Sequence, residues 1–129
     1  MRYAFFALAA ALPVCTGVTA RADTLADSKL RQLKGCLDTN LKQFLPSGDS
    51  ADILSKAALG ICGDIVEEVV EAAIVDIKRE AGTDFRPSDA NYAQSYLTKK
   101  INGLIYTYTV KFKAVGGPTT LTFPESDQD

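Results

Sequence analysis

From Ser50 or Ala51 to about Ala81 the chain runs for some thirty residues without a proline, its apolar side chains recurring at helical spacing. Ile53, Leu54, Ala57, Ala58, Ile61, Cys62, Ile65, Val66, Val69, Val70, Ala73 and Ile77 form a broad apolar surface, against a narrow stripe of Lys56, Gly60, Asp64, Glu67, Glu71 and Lys78. A helix this long with so wide a face must touch neighbours on more than one side, so the run predicts the central element of a helical domain. Its ends are marked. Asp49 or Ser50 can cap the start, Asp52 places negative charge in the first turn, and Lys78, Arg79 and Gly82 signal the stop. Gly60 and Gly63 cost about 1 kcal/mol each relative to Ala, which packing must offset. Small residues beside Cys62 would let another helix come close.

That neighbour precedes it. From Asp27 onward, Leu30, Leu33, Leu37, Leu41 and Phe44 fall on one helical face and Lys29, Arg31, Lys34, Asp38 and Lys42 largely on the other. Leu45-Pro46-Ser47-Gly48-Asp49 then stops the helix and turns the chain. Cys36 lies at the edge of the apolar stripe.

The first residues read as a secretory signal. Met1-Arg2 carries positive charge, Tyr3 to Val14 is apolar, and Pro13 precedes small and polar residues with cleavage frames after Ala20 and Ala22. A retained anchor is disfavoured because the strongly apolar part stops near Val14. A lipoprotein is disfavoured because Cys15 follows Val14 where a small residue is expected. The Ala-rich leader points to a bacterium, hence to the periplasm or the medium. The expected organisation is a leader over 1–22, one domain over 23–123 and a disordered acidic tail over 124–129. Removal of the leader takes away Cys15, leaving Cys36 and Cys62 as one pair in an oxidising compartment. They are expected to form a structural disulfide, whose loop of about 26 residues corresponds to about 3.5 kcal/mol in the chain-entropy treatment. A redox or metal role has little support, since no Cys-x-x-Cys spacing is present.

Beyond the turn-rich stretch 82–87, with Phe85 expected as a plug onto the core, Pro87-Ser88 opens a third helix, with Ala93, Tyr96, Leu97 and Ile101 as its buried face. Two readings then compete. Asn102-Gly103 is a turn signal, and Tyr106, Tyr108, Val110, Phe112 and Ala114 alternate with Thr107, Thr109, Lys111 and Lys113 as in a half-buried strand. Gly116-Gly117-Pro118 would return the chain into a second strand, 119–123. The alternative is a continued helix with Leu104, Ile105, Tyr108, Phe112 and Val115 on one face. β-Branched and aromatic enrichment decides for the hairpin. The predicted fold is therefore mainly α, a small three-helix domain with one disulfide and a C-terminal β-hairpin, the alternative being all-α with a long third helix.

Composition excludes much chemistry. Without histidine there is no Ser-His-Asp or Cys-His centre and no His-containing zinc site. Loss of the leader leaves twelve basic against sixteen acidic residues, with no basic run longer than two, so nucleic-acid binding is not expected. No calcium loop or phosphate-binding glycine loop is present. Asp64, Glu67, Glu68 and Glu71 are dense enough for a cation or an acid–base pair, but charged residues on the polar face of an amphipathic helix are ordinarily solvated surface. Gly48-Asp49-Ser50 resembles an esterase nucleophile signature, yet it follows a helix and has no histidine to serve it. No catalytic residue, cofactor or metal ligand is assigned. Tyr106, Tyr108 and Phe112 are the expected partner-binding residues, on an exposed strand edge or aromatic patch. The expected role is an exported, non-catalytic accessory or partner-binding protein, self-association included, without stable membrane insertion once the leader is cut. The alternative is a small carboxylate-based hydrolase or metal-binding enzyme of the periplasm.

Overall fold

The computed structural model describes residues 24–123; the expected leader (1–22) and the expected acidic tail (124–129) lie outside the described residues. Three helices form a bundle: α1 (Leu25–Phe44), α2 (Ala51–Ala81) and α3 (Pro87–Val115). α1 begins two residues before the periodic pattern. Thr24 caps it through a reciprocal box, accepting the Asp27 N–H at 3.1 Å while Asp27 accepts the Thr24 N–H at 3.1 Å. Ser50 caps α2 by accepting the Ile53 N–H at 3.4 Å. Pro87 is the first residue of α3, and Asp89 accepts the Arg86 N–H at 2.9 Å. Gly48 and Gly116 follow helix ends in the left-handed region, at φ 72° and 74°.

α2 lies between its neighbours, packing α1 on one side and α3 on another. The α1–α2 pair is antiparallel: Asp76 near the end of α2 accepts the Ala26 N–H at 2.9 Å, and Lys29 pairs with Glu68 at 2.6 Å. Leu30, Leu33, Leu37 and Leu41 meet Leu54, Ala58, Cys62, Val66, Val69 and Val70 in one core. The Cys36–Cys62 disulfide ties the two helices across a Cα–Cα distance of 6.1 Å. The glycines beside Cys62 are not what permits this approach, since a Cβ at Gly60 or Gly63 would meet nothing. The buried face of α2 is also narrower than its apolar pattern, with Ile53, Ile61, Val75 and Ile77 exposed.

The expected hairpin is not formed. Residues 104–115 continue α3, and no strand occurs among the described residues. The reason is tertiary. Ile101, Ile105, Tyr108, Thr109 and Phe112 recur at helical spacing and are all buried in the bundle, which outweighs the local strand preference of their neighbours. The buried Thr109 hydroxyl is satisfied within the helix, donating to the Ile105 carbonyl at 2.8 Å.

The reversal at Gly116-Gly117 does occur, but residues 119–123 form an extended strap rather than a strand. Thr119 donates its N–H to the Tyr108 hydroxyl at 3.3 Å. Leu121 packs on the main core, and Phe123 packs with Leu97 against Ala26, Ala72 and Ala73. Three alanines from two helices thus leave room for one ring. No residue in the first half of α3 is fully buried, and this is where the strap supplies packing.

Candidate functional site

A helix separates residues that a strand would have grouped. The alternation would have put Tyr106, Tyr108, Val110 and Phe112 on one side. In α3, Tyr108 and Phe112 are 2% and 0% exposed, whereas Tyr106 and Val110 are 47% and 42% exposed. Of the three expected partner-binding residues, only Tyr106 faces outward; Tyr108 and Phe112 are core.

Tyr106 belongs to a longer feature. Tyr92, Tyr96, Lys99, Gly103, Tyr106 and Val110 follow one another at steps of four, three, four, three and four, so they share one side of α3. All six are exposed, Tyr92 and Tyr96 at 74% and 47%. This crest lies opposite the buried Ile101, Ile105, Tyr108 and Phe112. Tyr92 and Tyr96 stack with ring centroids 6.2 Å apart, and the Lys100 ammonium lies 5.4 Å from the centre of the Tyr96 ring. An open recess of about 610 Å³ is lined by Tyr96, Lys99, Lys100, Gly103, Leu104 and Thr107 of α3. From Ala90 to Phe123 the chain carries four lysines and no acidic residue, so the crest is aromatic with a basic margin. Tyr96, expected on the buried face of α3, is half-exposed instead, and the 3–4 spacing that continues past Gly103 is the signal in the sequence that places it on the crest.

A polar cluster joining α1 to α3 is structural in arrangement. Tyr108 donates its hydroxyl hydrogen to Asp38 on α1, and Asp38 also receives the Lys34 ammonium at 2.6 Å. Burial, reinforced by the bond to Asp38, raises the Tyr108 pKa above the ordinary phenol value. The bond to Asp38 likewise raises that of Lys34, against some loss of solvation.

The acidic residues do not converge. Asp64, Glu67 and Glu71 are exposed along the outer side of α2, and Glu68 pairs with Lys29. Among the described residues no three His, Cys, Asp or Glu side chains are placed to hold a metal ion. The groove between α2 and α3, bordered by Asp52, Ser55, Leu59, Asn102, Ile105 and Tyr106, includes neither Glu67 nor Glu71. Gly48-Asp49-Ser50 is the turn into α2, Ser50 spending its hydroxyl as the cap. No helix among the described residues is long and apolar enough to cross a membrane. Comparison with protein-family models, with curated proteins and with solved structures found no match to this chain.

Proposed function

We propose that this chain is an exported, non-catalytic accessory or partner-binding protein, of the inhibitor, immunity or assembly-factor kind, which engages its partner through the outward crest of α3. The observation that carries this reading is the set Tyr92, Tyr96, Tyr106 and Val110, exposed on one side of a helix whose other side completes the core. Tyrosine supplies large, rigid contact area with a polar tip and is enriched at interfaces. The leader-like N-terminus supports export, and the disulfide fits an oxidising compartment.

The test is site-specific photo-crosslinking in the cell that makes the protein, with the photoreactive residue at Tyr106 or, as control, at Glu67. A discrete adduct at Tyr106 and none at Glu67 is expected. Equal labelling at both, or none at either, would sink the reading. Mass of the protein recovered from each cell fraction tests export: a chain starting at Arg21 or Asp23 outside the cytoplasm is expected, and an intact Met1 inside it contradicts export.

A further inference from the structure

We infer that the crest of α3 pairs with the same crest of a second copy of this chain, antiparallel about a two-fold axis that crosses the crest at the level of residue 101. This rests on the partner-binding reading above and names the partner. The crest extends in the same rhythm to Asp89 at one end and Lys113 at the other, giving steps of three, four, three, four, three, four and three. That series reads identically in both directions. A helix bearing it can meet its own copy antiparallel with every position matched, the requirement for a closed two-fold interface.

The matched layers are chemically complementary. Tyr96 meets Tyr106 of the other copy, and both are half in water in the single chain. Tyr92 meets Val110. Lys99 meets Gly103, where no Cβ obstructs the lysine stem as its ammonium reaches water. At each end Asp89 meets Lys113, opposite charges closing the interface. Each of these two also serves its own chain, Asp89 accepting the Arg86 N–H and Lys113 donating to the Asp49 carbonyl at 2.7 Å. Asp89 also pairs with the Arg86 guanidinium at 3.6 Å, so across the pair each group shares its charge between its own chain and the other copy.

Other pairings lose this match. A parallel pair in register sets Asp89 on Asp89, Lys99 on Lys99 and Lys113 on Lys113, three like-charge layers. An antiparallel pair slipped by seven residues strands Asp89 or Lys113 beyond the end of the other helix. Charge thus selects one register from those the spacing allows, as it does in coiled coils. Because the crest lies opposite the buried face of α3, pairing requires no change in the core.

The test uses the protein as the expressing cell leaves it. Sedimentation velocity over a concentration series is expected to show a monomer–dimer equilibrium. Tyr106→Lys should weaken it about tenfold or more while leaving the thermal midpoint of the dilute monomer unchanged, since Tyr106 is outside the core. Register is read with a short thiol cross-linker on Tyr96→Cys and Tyr106→Cys proteins. Like positions lie roughly 15 Å apart along the axis in the proposed pair, so neither protein alone should link, whereas their mixture should. Linking of Tyr96→Cys alone, failure of the mixture, or a monomer at every concentration overturns the pairing. A monomer whose Tyr106 photo-adduct contains a different chain or lipid would overturn the second copy and leave the crest as a binding surface; a monomer with no adduct would remove both.

Discussion

The hydroxyl of Tyr108 on α3 is hydrogen-bonded to the carboxylate of Asp38 on α1, seventy residues earlier in the chain. The same hydroxyl receives the backbone N–H of Thr119 at 3.3 Å, so one phenol joins the first helix, the third helix and the strap. The ring itself belongs to the core, at an angle to Phe112 with centroids 6.1 Å apart.

Tyr108→Phe keeps that packing and removes the hydroxyl. It is expected to cost about 1–2 kcal/mol, lowering the thermal midpoint by several degrees, because Asp38 is left with the Lys34 ammonium and Thr119 loses its acceptor. Chemical denaturation of the two proteins checks this, and coincident curves would show that the phenol bonds contribute nothing net.

The same cluster sets a pH response at the alkaline end. Tyr108 has its pKa raised by burial and then by Asp38, and Lys34 has its pKa raised chiefly by Asp38. A group whose folded pKa is raised contributes stability that is fully present below its unfolded value and is lost as pH climbs through the folded value. Both groups therefore act above about pH 10 and contribute no slope near neutrality; Lys34, still partly open to solvent, adds less than Tyr108. Denaturant midpoints from pH 7 upward should show a steeper alkaline decline in the wild type than in Tyr108→Phe. Parallel declines would contradict the assignment.

α1, α2 and their disulfide were legible in the sequence because their cues agree. Leu30, Leu33, Leu37 and Leu41 keep a single period, Ser50 and Gly82 bound α2, and with Cys15 assigned to the expected leader Cys36 and Cys62 leave one pairing. Past Gly103 the cues conflict. Tyr106, Thr107, Tyr108, Thr109 and Val110 favour a strand locally, and helical packing is decided by the α2 side chains that Ile105, Tyr108 and Phe112 meet. The same conflict hides the crest, because strand alternation puts Tyr106 and Tyr108 on one side and a helix separates them. The strap was legible only as a reversal, since nothing in Leu121 or Phe123 states which groove they enter.

Gly103→Ala distinguishes the helix from the turn directly. A Cβ there meets nothing, and α3 continues on both sides, so alanine should stabilise the dilute protein by about 0.5–1 kcal/mol. In a hairpin turn the same change would destabilise. The sign of the shift in denaturation midpoint decides it.

Replacing Cys36 and Cys62 together with serine should lower stability by about 2–5 kcal/mol, and the loss should match that caused by reduction of the wild type. An unchanged melting temperature would refute a structural role for the bridge.

Phe123→Ala should loosen the side of the bundle where Ala26, Ala72, Ala73 and Leu97 surround the ring. With the ring only partly buried, about 1–2 kcal/mol is expected, below the cost of a fully buried phenylalanine. Amide exchange should accelerate most between Ala90 and Leu97. Exchange unchanged there would mean that the strap rests on the bundle without holding it.

The position of the strap in the chain bears on when the domain can finish folding. Residues 119–123 are synthesised after all three helices, yet Leu121 packs against the principal core and Phe123 reaches back to Ala26 in the first turn of α1. A nascent chain still lacking them has α1 and α2 available to pair but keeps part of its apolar interior open to solvent. The final compact state is therefore reached only after the strap has emerged, so the last five described residues to be made are the ones that close the apolar interior of the first.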